Sequence, residues 1–305
     1  MLAGEIMNVG GLSQRIVNLA LTLVGHVRGG LGFVAILAAC LLAALSGSAV
    51  ADTAALAALL LPMMVRAGHD KATAGGLIAS AGIIAPIIPP SIGFVIFGVA
   101  ANVSITKLFL AGIVPGLLMA LSIAVAWYLV AKKENVKPPP KATGAERLKA
   151  LRESTWALVL PLIVLVGLKM GVFTPTEAAV VAAVYALFVA TVVYRELTIA
   201  QLYHVFVSAA KTTAVIMFLV AAAMVSAWLI TVANLPQELI ALLQPFIDKP
   251  ILLMFIIMLL VMAVGTAMDM TPTILILTPV LMPLVKAAGI DPVYFGVLFI
   301  MNNAI

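Results

Sequence analysis

Charge is what this chain of 305 residues has least of: Asp, Glu, Lys and Arg fill only 10% of positions, against roughly a quarter in an ordinary soluble domain. Cysteine is almost missing. Cys40 stands alone in an apolar stretch, which excludes an internal disulfide framework, gives no metal-ligand spacing and reads as a packed structural thiol. Among the three histidines, His26 and His204 have no partner at ligand spacing and read as interfacial residues. No short positive segment followed by an apolar core and a small-residue cleavage site opens the chain, so no signal peptide is expected. The apolar runs are continuous and do not alternate with polar residues, which leaves no pattern for a β-barrel.

What is present is hydrocarbon. Hydrophobic residues fill 64% of the chain, which defines an all-α polytopic membrane protein. One helical span takes about 20 apolar residues, and windows such as 53–66 and 91–103 are too short to cross alone. Short windows interrupted by Gly and Pro, arranged in pairs, imply re-entrant hairpins or helices broken at mid-depth. Lipid tolerates such breaks only where protein or a water-filled cavity covers the freed backbone, and that points to a secondary transporter. The fifteen methionines are scattered packing residues rather than a copper array.

The one long polar stretch, Ala131 to Trp156, carries seven Lys/Arg (Lys132, Lys133, Lys137, Lys141, Arg147, Lys149, Arg152) against three Glu. The positive-inside rule puts it on the cytoplasmic face, so the net charge of +5 reflects orientation and not nucleic-acid binding. A polybasic lipid-sensing role is the alternative. Pro138-Pro139-Pro140 predicts an extended linker, and Glu146 to Thr155 a surface helix. The chain then divides into a first-repeat portion, 1–131, a basic linker, 132–155, and a second-repeat portion, 156–305.

The two portions resemble each other. Gly47-Ser48-Ala49 matches Gly265-Thr266-Ala267, and Thr53 matches Thr271. After one three-residue gap between Thr53 and Pro62, Pro62 matches Pro283, Gly68 matches Gly289, Asp70 matches Asp291 and Gly75 matches Gly296. Copies on either side of a cytoplasmic linker are what two halves of opposite orientation give when each contributes half of a central wet pocket.

At Ser46-Gly47-Ser48 a glycine lets the backbone unwind and free carbonyl oxygens, while the serines and Thr53 add hydroxyls. Sodium takes such oxygens, and half-helix termini offer dipoles to a cation and an anion side by side. Asp52 has two readings, a cap on the second half-helix or a cation ligand or proton carrier, and Asp269, one place out of register, has the same two. Pro86, Pro89 and Pro90 cannot all sit in one regular span, so the chain breaks there, with Ser91 and Gly93 supplying a hydroxyl and backbone room. "FTPTEAA" reads as a helix start with Thr174 as N-cap, Pro175 at the first position and Glu177 closing a capping box. Arg66, His69, Asp70 and Lys71 form a solvated turn that Lys286 and Asp291 repeat. Trp127, Tyr128, Trp156, Tyr194 and Tyr203 fit aromatic belts.

The stretches "GGLGFVAILAACLLAALSGSAVADTAAL", "PMMVRAGHDKATAGGLIASAG", "IIPPSIGFVIFG", "KLFLAGIVPGLL", "FTPTEAAVVAAVYAL" and "GTAMDMTPTILILTPVLMPLV", in this order, resemble the large membrane subunit of tripartite ATP-independent periplasmic (TRAP) transporters. His69 stands where that family's pattern has tyrosine. The resemblance implies an inverted-repeat, elevator-type ion-transporter fold in a bacterial inner membrane, and sodium-driven import of organic anions such as dicarboxylates, sugar acids or keto acids. Its partners would be a small four-helix membrane subunit and an extracytoplasmic solute-binding protein. Sodium is the only metal implied, as coupling ion, and no cofactor or nucleic acid.

Carried over by position, the first ion site uses Ser46, Gly47, Ser48, Asp52 and Thr53, closed by Pro89. The second uses Gly265, Thr266, Asp269, Met270 and Thr271. Substrate falls to Ser48, Pro90, Ser91, Gly93 and Thr266. The family has a Thr-Pro-Pro segment near position 310, beyond Ile305, and initial spans before "MLAGEIMNVGGLSQR", so the chain is expected to be a truncated form. Two other classes compete. Asp52 and Asp269 could share a proton as in an intramembrane aspartyl protease, though Ala51 and Met268 stand where a Gly-Asp pair is expected; a channel or passive assembly subunit is the other.

Overall fold

A computed structural model describes residues 1–134, 136, 138–234, 237–238, 241 and 246–305, without the side chains of Ser46 and Thr231. Lys137, which belongs to the basic stretch, therefore lies outside the described residues. The described chain is helical throughout: α1 (Leu2–Val9), α2 (Leu12–Val24), α3 (Gly30–Ser46), α4 (Ala49–Arg66), α5 (Lys71–Gly82), α6 (Ile92–Ala101), α7 (Ile105–Lys133), α8 (Gly144–Lys169), α9 (Pro175–Phe188), α10 (Ile199–Val232), α11 (Pro250–Gly265), α12 (Met270–Ala287) and α13 (Pro292–Ala304). Among the described residues, six helices are long and apolar enough to cross a membrane, whereas α2, α3, α6, α11 and α13 are apolar but shorter. That mixture of full and partial spans is what the interrupted windows predict.

By packing, the chain forms two compact units, one of residues 1–91 and 113–210 and the other of 92–112 and 211–305. This division is by contact; the repeat portions read from the sequence divide the chain by similarity.

In the first unit α2 lies between α3 and α8, α4 pairs with both α3 and α5, and α1 packs on α9. Its core includes Ile6, Ile16, Val34, Leu56, Leu60 and Met64, all fully buried. Left-handed glycines start α2 and α3, Gly11 at φ 74° and Gly29 at φ 71°. Near the start of α3, Trp127 fills the space that a Cβ on Gly32 would take, 2.1 Å from its indole nitrogen. The same nitrogen donates to Gly29 O at 2.8 Å, and the ring lies 5.5 Å from that of His69. Trp127 is 2% exposed, so it is a packing anchor and not a belt residue, because two glycines open a slot the size of an indole. Tyr128, Trp156 and Tyr203 are exposed, as belt residues should be.

The turn after α4 also differs from expectation. Arg66, Asp70 and Lys71 are exposed, but His69 is buried, with Nδ1 2.6 Å from Glu134 Oε2. A partner 65 residues away turns the expected loop histidine into a buried polar anchor, consistent with the rule that buried polar groups carry partners. The surface helix expected over Glu146–Thr155 is the first part of α8, which runs unbroken from Gly144 to Lys169. Thr143 caps it with Glu146 at the third position in a reciprocal capping box, and nothing between Glu146 and Pro161 can stop a helix so started. Thr174 and Glu177 build the predicted capping box on α9, with Pro175 in the first turn; the chain then widens into a π-turn over Val189–Val193.

In the second unit the short α6 lies against α12 and α13, and α11 packs on α13. Its core is a ring cluster of Phe97, Phe295 and Phe299, with centroids 5.6–6.1 Å apart. A Cβ on Gly296 would fall 2.4 Å from Phe97, so the absence of a side chain there lets α13 approach the rings.

Candidate functional site

The repeat read from the sequence has a backbone counterpart within each unit. α4 and α12 both contain 18 residues, and Pro62 and Pro283 each stand thirteen positions beyond their helix's first residue. Both helices end in the same three bonds. In α4, Ala67, Gly68 and His69 N–H donate to Met63, Val65 and Met64 O; in α12, Ala288, Gly289 and Ile290 donate to Leu284, Lys286 and Val285 O. Gly68 (φ 101°) and Gly289 (φ 68°) are left-handed, which makes each end a Schellman turn. Each next helix is then capped by an aspartate: Asp70 accepts from Thr73 N–H at 2.8 Å, and Asp291 from Val293 and Tyr294 N–H at 2.9 Å.

With the helices superposed in this register, Ser48 corresponds to Asp269, each the residue preceding its helix. The three-residue gap therefore belongs inside the second break, at Thr266–Met268, and not between Thr53 and Pro62. Any insertion within α4 or α12 would have rotated the apolar face behind it, whereas an unwound segment absorbs extra residues at little cost. Asp52 then aligns with Thr273, which settles that Asp52 and Asp269 are not equivalent positions.

The first break is short. Gly47 ends α3 in left-handed conformation, φ 63°, as expected of a glycine that stops a helix. Ser48 Oγ accepts from Ala51 N–H at 3.4 Å and caps α4, so the capping role considered for Asp52 falls to Ser48. Asp52 lies in the first turn of α4, 2% exposed, where the helix dipole favours a carboxylate. Ser46 ends α3, and its side chain lies outside the described residues. Thr53 Oγ1 occupies the space of a Cβ on Gly82, 1.7 Å from it. The start of α4 is thus pressed on the end of α5, and beyond Gly82 the chain enters the proline segment. The breaks at Gly47 and at 83–91 consequently share one end of the α4–α5 pair.

In the proline segment Pro89 and Ser91 are buried and Pro90 is partly so. Ser91 Oγ donates to Pro86 O, which satisfies one carbonyl that the broken helix leaves free. A groove of about 400 Å³ runs along α4 and α5, lined by small residues such as Ala54, Ala57 and Ala79, with Thr53 the one hydroxyl on its wall.

The second break is longer. α11 ends at Gly265, Thr266 to Asp269 are unwound, and α12 begins at Met270 with Thr271 in its first turn. Thr266 Oγ1 donates back to Ala263 O at 2.7 Å, leaving its lone pairs outward. Thr266 and Asp269 are exposed. Asp269 makes no side-chain cap; its backbone oxygen instead accepts from Thr273 N–H at 3.2 Å and Thr273 Oγ1 at 2.9 Å. Gly93 belongs to this same unit: a Cβ on it would touch Met270 Cε at 3.3 Å, so Gly93 and Met270, assigned by sequence to different roles, are neighbours.

Sequence reading passed over Asn302 and Asn303. Asn302 Nδ2 donates to Met258 O at 2.6 Å, and Asn303 Nδ2 to Met270 O at 3.3 Å. The signal was available: two adjacent amides in an apolar helix are costly in lipid unless they have a task.

No group of three or more His, Cys, Asp or Glu able to hold a metal ion occurs among the described residues. The oxygens at both breaks are backbone carbonyls, hydroxyls and one carboxylate each, Asp52 and Asp269, the chemistry that suits a hard cation.

Unwound helical turns flanked by partial spans define a polytopic membrane transport protein. The chain belongs to the family described as "Tripartite ATP-independent periplasmic transporter, DctM component", whose profile matches residues 1–305. It is 60% identical over 304 residues to the 2,3-diketo-L-gulonate TRAP transporter large permease protein YiaN of Escherichia coli K12, covering 100% of this chain and 72% of that protein. The sialic acid TRAP transporter large permease protein SiaM of Vibrio cholerae is 42% identical over 99% of this chain and 70% of its own length. The C4-dicarboxylate TRAP transporter large permease protein DctM of Pseudomonas aeruginosa is 38% identical over 100% and 71%. The chain is therefore a large permease subunit and not an enzyme, which removes the aspartyl-protease alternative.

Proposed function

We propose that this subunit imports small organic anions together with sodium across a bacterial inner membrane, by an elevator-type movement. The anion is received from an extracytoplasmic solute-binding protein, and a small four-helix membrane subunit completes the membrane part. The observation that carries this reading is the pair of corresponding helix breaks at Gly47 and at Thr266–Asp269, each placing free carbonyls beside hydroxyls and a carboxylate. Each break presents a helix C-terminus to a cation and a helix N-terminus to an anion.

The relatives' names support the substrate class. They specify a diketo sugar acid, sialic acid and C4-dicarboxylates, all carboxylates; the 60% identity to the first makes a keto sugar acid the leading candidate. Ser48, Pro90, Ser91, Gly93 and Thr266 would meet the anion, and Ser46, Gly47, Ser48, Asp52, Thr53, Pro89, Gly265, Thr266, Asp269, Met270 and Thr271 would serve the cations.

The test is uptake of a labelled keto sugar acid into proteoliposomes holding both membrane subunits, with the binding protein outside. An inward sodium gradient should drive accumulation, and Ser48→Ala or Thr266→Ala should raise the sodium concentration for half-maximal uptake. Equal uptake under a potassium gradient, or unchanged sodium dependence in both variants, would defeat the proposal.

A further inference from the structure

The second break is held from a third helix. Asn302 and Asn303 are consecutive residues of α13, yet their amides reach opposite sides of the break: Asn302 Nδ2 binds the carbonyl of Met258 in α11, and Asn303 Nδ2 that of Met270, the first residue of α12. The other end of Asn303 is the informative one. Oδ1 lies 3.0 Å from where a Cβ on Gly265 would stand, is buried, and has no hydrogen-bond partner among the described residues.

A flipped amide would not cure this, because it would turn the oxygen toward the Met270 carbonyl, acceptor against acceptor. The bond to Met270 thus fixes which way the amide points. A buried amide oxygen without a partner costs about 1–3 kcal/mol, so a fold that keeps one beside unwound backbone gains by filling it. The cation that free carbonyls attract would fill it, since an amide oxygen is the same kind of ligand as a backbone carbonyl.

We infer that Asn303 is a residue of the second cation site, orienting the break through Nδ2 and presenting Oδ1 to the ion, while Asn302 serves only to tie α13 to α11. This assignment rests on the sodium reading proposed above. It also accounts for the break's extra length, because the unwound Thr266–Asp269 segment leaves room beside Gly265 for a side-chain ligand from the following helix.

The experiment is thermal unfolding of the purified chain in detergent, titrated with sodium against choline at constant ionic strength, for wild type, Asn302→Ala, Asn303→Leu and Asn303→Asp. Wild type should be stabilised by sodium and not by choline. Asn302→Ala should lower the melting temperature at every concentration without moving the sodium half-saturation point. Asn303→Leu should raise that point by about tenfold, the change expected for ~1.4 kcal/mol of lost ligand energy. Asn303→Asp keeps an oxygen beside Gly265 but loses the donor to Met270 O, so without sodium it should melt below wild type, and sodium should restore more of its stability than it restores in Asn303→Leu. Half-saturation equal to wild type in Asn303→Leu overturns the assignment and leaves the sodium reading standing. Absence of any sodium effect on wild type removes both.

Discussion

Replacing Gly82 by alanine probes the support of the first break directly. The added Cβ would stand 1.7 Å from Thr53 Oγ1 and 3.0 Å from Thr53 Cβ, far inside van der Waals contact, and both residues lie in regular helix. Forcing an extra carbon into such a contact costs about 1–3 kcal/mol. Thr53→Ala removes the hydroxyl that makes the 1.7 Å approach, and the remaining 3.0 Å contact needs a shift of only a few tenths of an ångström. The double variant should therefore be more stable than the two single effects predict, with a coupling of about 1–2 kcal/mol. The assay is reversible unfolding of all four proteins in mixed micelles, followed by tryptophan fluorescence. Single effects that add to within about 0.5 kcal/mol would mean that Gly82 and Thr53 do not touch, and the argument that both breaks share one end of the α4–α5 pair would collapse.

The remaining predictions concern the anchors. Trp127→Phe keeps a ring against Gly32 but loses the bond to Gly29 O, so stability should fall by about 0.5–1.5 kcal/mol in the same unfolding assay; an unchanged midpoint would refute the anchor. The Asp70 carboxyl is held below its ordinary range by the Thr73 backbone N–H and then by the Thr73 hydroxyl. A depressed folded-state pKa stabilises above the unfolded value, near 3.8, and this contribution is lost as pH falls through the folded value. Thr73→Val, which keeps the backbone bond and removes the hydroxyl, should shift that acid loss to higher pH; carboxyl-resolved NMR titration showing no shift would count against it.

The sequence was most legible where a local rule leaves one outcome. Gly47, the proline segment before Ser91, and the Thr174–Glu177 box each act through their own neighbours, and each appears where spacing put it. The repeat was legible for the same reason, since left-handed glycines and capping aspartates are local devices. What escaped was tertiary. Nothing near His69 announces Glu134, and nothing near Trp127 announces that Gly29 and Gly32 form its slot. Asn302 and Asn303 were visible as an oddity, but their partners on α11 and α12 become neighbours only after the helices pack. The register of the second copy was misplaced because Thr53 and Thr271 match by letter, whereas helix length and proline position decide the alignment.

The paired Schellman turns have one further implication. Each turn, with the helix cap that follows it, requires only a glycine and, two places later, an aspartate; the residue between them contributes its backbone N–H, which any amino acid except proline supplies. In one copy that free position is Ile290, and in the other it is His69, tied to a carboxylate far along the chain. A duplicated element can thus diverge in chemistry while its course stays the same, through the one letter its geometry never reads.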